Sequence, residues 1–104
     1  MIDDCIVELV ASKVRFFSQN DEAAFFEWLN KLTCLNSYEG RGANLYIYIN
    51  RISVDEGNLR ELLSLFRRFD VEMAQLSVFD NELFENWFRN KKSYWYEAIF
   101  NSDK

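Results

Sequence analysis

The sequence contains no histidine, two cysteines and three glycines in 104 residues. Without histidine, the chain lacks the side chain most used for proton transfer near neutral pH and for holding transition metals. Cys5 and Cys34 have neither CxxC spacing nor a histidine beside them, so no zinc site is expected. Both are flanked by apolar residues and read as buried, reduced, structural thiols. No apolar run approaches the roughly 18 residues of a membrane-spanning helix. No GxSxG, HExxH, P-loop or dinucleotide-binding pattern is present. With no nucleophile set beside a base, the expectation is a protein without catalytic activity, cofactor or metal.

What is present points elsewhere. The chain is 49% hydrophobic and 28% charged, a globular composition that fits one domain over residues 1–104. Aromatic residues make up 17% and the net charge is −5. An acidic chain repels nucleic acid and attracts basic partners, and aromatics are common anchors of protein interfaces. A protein partner is therefore expected, rather than nucleic acid or a membrane; the oligomeric state stays open. Met1-Ile2-Asp3-Asp4 is acidic where a secretory leader would be basic, so a cytoplasmic location is expected.

Along the chain, residues 5–17 are rich in strand-favouring types, with Val7, Leu9 and Ala11 on one face and Val14 and Phe16 on the other parity. The phase slip near Ser12 implies one bent strand or a hairpin at Ser12-Lys13. Ser18 to Glu22 supplies a helix start, and Phe25, Trp28, Leu29 and Leu32 follow as a buried stripe, with Glu27 and Asn30 facing water. Residues 36–44, with two of the glycines, read as a loop. Gly40-Arg41-Gly42 precedes a strand rather than opening a helix, so phosphate binding is not expected. Leu45 to Asn50 is the clearest strand, with Tyr46 and Tyr48 on its second face read as core. Asp55 and Glu56 open a helix whose stripe is Leu59, Leu62, Leu63, Phe66 and Phe69. Val71–Phe79 reads as a third strand, with a helix as the alternative. A short helix then carries Leu83, Phe84, Trp87 and Phe88, and a last helical turn follows from Tyr94. Strands alternating with helices predict an α/β fold: a small three- or four-stranded, largely parallel sheet packed by about three to four helices. With so few strands, one sheet face is expected to stay partly uncovered.

The acid pairs Asp21-Glu22 and Asp55-Glu56 sit at helix starts, where they suit the free backbone N–H groups without any catalytic role. Arg67-Arg68 and Lys91-Lys92 are isolated doublets that read as solvated helix ends. Of the aromatics between Phe84 and Phe100, most are expected in the core; the alternative leaves some of Tyr94, Trp95 and Tyr96 exposed as anchors. A surface that faces a basic partner should combine acids with aromatics. Two regions do so: Tyr38 with Glu39, and the segment carrying Asp80, Glu82, Phe84 and Glu85. Asp55 and Glu56 are expected to join the second region as an acidic rim. Reversing Asp80 and Glu82 to lysine should then slow association with little change in melting temperature.

Three stretches carry a resemblance: Ala24-Phe25-Phe26-Glu27-Trp28-Leu29, then Leu62 to Phe69 running into Ala74 to Phe79, then Tyr94-Trp95-Tyr96 before Ile99-Phe100. They resemble small bacterial immunity proteins, including those paired with contact-dependent growth inhibition toxins. That resemblance covers about a third of the chain in apolar framework patterns and implies a protein that binds one toxin and blocks it. It carries no set of contact residues. The expected partner is a cognate, basic toxin domain such as a nuclease; the alternative is a non-catalytic adaptor or regulatory module.

Overall fold

The computed structural model describes residues 5–12 and 14–100. Three strands, β1 (Ile6–Ser12), β2 (Leu35–Arg41) and β3 (Asn44–Asn50), form one sheet in the order β1-β3-β2. Both outer strands run antiparallel to β3. The expected largely parallel sheet is therefore corrected: β1 and β2 are parallel only to each other, with β3 between them. Among the described residues four helices accompany the sheet: α1 (Gln19–Asn30), α2 (Glu56–Arg68), α3 (Glu85–Phe88) and α4 (Tyr96–Phe100). Short 3-10 segments lie at Arg51–Ser53 and Ala74–Phe79.

The direction of pairing follows from one turn. Arg41 pairs with Asn44, leaving Gly42 and Ala43 as a two-residue hairpin loop. Gly42 has φ +62, and only the first loop residue needs a positive value, the pattern of a type II′ turn that matches strand twist. The expected loop over 36–44 is thus mostly strand β2, whose side chains are largely exposed. An edge strand held by backbone bonds shows no apolar alternation, so its sequence reads as loop.

The order β-α-β-β-α is that of a split β-α-β fold without its last strand. The chain reaches the place for that strand after α2 but winds instead. α2 ends in a Schellman motif, with Val71 N–H bonded to Phe66 C=O at 2.9 Å and Asp70 at φ 59. Beyond it Met73, Leu76 and Phe79 are buried at a spacing of three, the 3-10 repeat. The expected strand Val71–Phe79 is corrected accordingly, on its helical side.

The core lies on one side of the sheet. Val7, Leu9 and Ala11 of β1 and Ile47 and Ile49 of β3 pack with Phe25 and Leu29 of α1 and with Leu59, Leu62, Leu63 and Phe66 of α2. Phe84, Phe88, Trp95 and Ile99 extend the same cluster. Val14 and Phe16 pack against it without being strand; the bend or hairpin expected near Ser12 involves Lys13, which lies outside the described residues, as do Met1–Asp4. Cap residues match the sequence, with Ser18 Oγ accepting from Asp21 N–H and Asp55 Oδ1 from Asn58 N–H. No described helix is long and apolar enough to cross a membrane.

Candidate protein-binding surface

The first turns of α2 organise an acidic part of the surface, with Asp55 and Glu61 lining one concavity and Glu27 and Glu61 the next. Asp55 caps the helix and receives both the Asn58 N–H at 2.8 Å and its side-chain Nδ2 at 3.0 Å. Asn58, the buried polar residue among those described, also donates to Thr33 Oγ1 at 2.9 Å and to the Ser53 carbonyl at 3.2 Å. That network ties the helix start to the turn that follows α1 and to the 3-10 turn before α2. A sequence pattern cannot flag Asn58, because its neighbours belong to other segments.

Two adjoining concavities of about 470 and 320 Å³ run between α1 and α2. Both are lined by Trp28, Lys31 and Glu61; Asp55 and Asn58 join the first and Glu27 the second. Trp28 belongs to the stripe expected to be buried, yet it is only half-buried, and its Nε1–H donates to Glu61 Oε1 at 2.7 Å. The groove therefore sets an indole among Glu27, Asp55 and Glu61, with Lys31 the one cation lining it among the described residues. Glu27 forms no ion pair among those residues. Sequence reasoning placed Glu27 on the solvent side but gave no signal that Glu61, on a different helix, would meet it.

On the other flank of α2, Arg51 Nη1 donates to the Val78 carbonyl at 3.3 Å, and the Arg60 guanidinium lies 4.1 Å from the centre of the Trp87 ring. These contacts bring the segment of Asp55 and Glu56 alongside that of Asp80 to Glu85. Ile52, Val78 and Leu83 are exposed on those segments, Ile52 and Leu83 by about 80%. The proposed contact residues differ widely in what they have free. Glu56 is paired with Arg60 at 2.8 Å. Glu82 and Glu85 are exposed and form no ion pair among the described residues. Asp80 is mostly buried and accepts a two-nitrogen grip from Arg89, at 2.7 to 3.0 Å, which holds the guanidinium above its usual pKa. Reversing Asp80 would set two cations together, so the expectation of an unchanged melting temperature is corrected. Phe84 is core at 4% exposure and offers no anchor.

Tyr38 and Glu39 lie apart from this surface. Tyr38 faces α1, its ring 5.4 Å from Phe26 and its hydroxyl bonded to Asn30. Glu39 points to the opposite, open face of the sheet, ion-paired with Arg41 at 3.0 Å. There Arg41 stacks 4.0 Å over Tyr46 and donates to the Tyr48 hydroxyl. Both tyrosines are half-buried rather than core, because no helix among the described residues covers this face.

Cys34 is buried near Asp55, and its thiol is pushed up to about 11, first by burial and also by the negative charge of Asp55. The folded protein thus holds the neutral thiol more tightly than the unfolded chain does. Its contribution to stability is complete below about pH 9 and is lost as the pH climbs through about 11. In the native protein at pH 8, Cys34 should resist thiol reagents and react only after denaturation; native labelling as fast as in the unfolded chain would contradict this burial.

Among the described residues no group of three or more histidine, cysteine or acidic side chains is placed to hold a metal ion. No known protein family, curated protein or solved structure matches the chain.

Proposed function

We propose that the chain is an immunity-type inhibitor that binds and neutralises a cognate, basic toxin domain, with the acidic surface around the first turns of α2 as the contact. The observation that carries this reading is the groove in which Trp28 lies among Glu27, Asp55 and Glu61. A lysine or arginine laid over that indole would meet carboxylates at its rim, and an aromatic floor with charged walls suits a cationic side chain better than acids alone. The net charge of −5 adds long-range attraction to a toxin that is basic because it handles phosphate. The exposed Ile52, Val78 and Leu83 on the other flank supply apolar area beside Glu82 and Glu85.

The test is genetic first. The chain should restore growth to cells producing the C-terminal domain of a secreted protein encoded beside it. Failure to protect, or neighbouring genes of a metabolic operon only, would sink the reading and favour an adaptor. With toxin in hand, Glu27→Lys combined with Glu61→Lys should slow association about tenfold or more at low salt and flatten its salt dependence. Unaltered association kinetics would move the contact away from the groove.

A further inference from the structure

The two edges of the sheet are finished differently. On β1, the Val10 N–H and C=O turn away from β3, and the side-chain amide of Gln75 meets both, at 2.8 and 2.9 Å. One glutamine thereby supplies the donor and acceptor that a neighbouring strand would offer. Among the described residues the other edge has no such cover.

Strand parity fixes what β2 leaves open. Residues of β3 alternate in the neighbour they bond, and the Asn50 N–H reaches the Cys34 carbonyl at 2.8 Å, so Asn44, Tyr46 and Tyr48 also bond toward β2. Their opposites, Arg41, Glu39 and Ser37, face β3. The N–H and C=O of Tyr38 and Gly40 therefore point outward from the edge. No described residue outside the sheet bonds to them, and a side chain built at Gly40 would meet nothing within 4 Å. Gly40 is flanked on the open face by Glu39 and Arg41, an acid and a base one pleat apart.

That charge order is self-complementary. Laying β2 antiparallel against the β2 of a second copy, with the two-fold axis at Gly40, sets Gly40 opposite Gly40 in a hydrogen-bonding pair. It also sets Glu39 opposite Arg41 of the second copy, and the reverse, on the same face. The neighbouring register, Tyr38 opposite Gly40, would put Glu39 against Glu39, and like charges directly opposite repel. We propose that the β2 edge is a self-association surface for a second copy of this chain, paired through Gly40 and locked in register by reciprocal Glu39–Arg41 contacts. This proposal stands independently of toxin binding, since it uses the edge and open face rather than the groove at α2.

Sedimentation of the full chain should show a concentration-dependent monomer–dimer equilibrium. Gly40→Pro removes an N–H that no β3 bond uses and should weaken the dimer at least about tenfold while keeping the strand content. Arg41→Glu alone and Glu39→Arg alone should each be monomeric, from facing like charges, and an equimolar mixture of the two should form a heterodimer. A wild-type chain that stays monomeric up to about millimolar concentration overturns the proposal and leaves a strand of another protein as the occupant of the edge. So does a dimer indifferent to Gly40→Pro, or charge variants that associate as well separately as together. Should Gly40→Pro fail to fold, the mixed charge variants decide alone.

Discussion

Truncating Phe66 to alanine is expected to remove about 3–5 kcal/mol of stability. A domain of this kind holds about 5–15 kcal/mol in total, so the loss takes from about a fifth to all of it. Phe66 is fully buried in the middle of the core, on the α2 face turned to the sheet. It also sits three positions before the helix cap, where its carbonyl receives the Val71 N–H and sets the chain into the Schellman turn. Removing the ring opens a cavity between α2 and the strands and loosens the packing of buried Val71 against the helix end. Denaturant titration reads the effect directly; a midpoint within experimental error of the wild type would remove this account of the core.

Replacing Trp95 with alanine should be comparably severe, at about 3–5 kcal/mol. The indole is 8% exposed, stands edge-on to Trp87 at 5.8 Å, and donates its Nε1–H to the Phe88 carbonyl at 2.7 Å. It therefore joins the start of α4 to the end of α3, two helices of four and five residues that are far too short to hold themselves. Trp95→Phe keeps an aromatic ring but strands the Phe88 carbonyl and leaves a smaller gap, so it should cost less than alanine, at about 1–3 kcal/mol. Neighbouring Tyr94, 47% exposed, should cost under about 1 kcal/mol when truncated. Equal losses at Trp95 and Tyr94 would mean that the C-terminal segment is not anchored as described. Among the three aromatics weighed as exposed anchors, Trp95 thus belongs to the core, Tyr96 is half-buried and Tyr94 alone is exposed.

How much of the molecule was legible varied with the range of the forces involved. The α2 stripe Leu59, Leu62, Leu63, Phe66 was plain because a helix repeats its buried face every three to four residues. Caps at Ser18 and Asp55 were plain for the same local reason. β2 was hidden, since an edge strand draws its order from backbone bonds to β3 and leaves Asn36, Ser37 and Glu39 in solvent. Residues 71–79 misled because Ala74, Leu76 and Val78 alternate like a strand, while the buried set Met73, Leu76, Phe79 repeats every third residue. Both patterns share Leu76, and only the path out of the αL residue Asp70 chooses between them.

The candidate surface shows the same division. The excess of acids, and the local groups Asp55-Glu56 and Asp80, Glu82, Glu85, are matters of sequence alone. Which of those charges are free is not. Arg89 takes up Asp80, Arg60 takes up Glu56, and Phe84 goes to the core, all through partners at a distance along the chain or around a helix turn. The groove of Trp28, Glu27 and Glu61 exists only because α1 and α2 lie side by side. By itself the sequence determined the main helices, their caps, the inward faces of β1 and β3 and the sign of the net charge, since each depends on neighbours within a turn or on a sum over residues. Tertiary structure alone decided the antiparallel order β1-β3-β2, the winding of 74–79 and the set of unpaired carboxylates, because pairing direction and ion pairing are settled between residues that sequence distance does not relate.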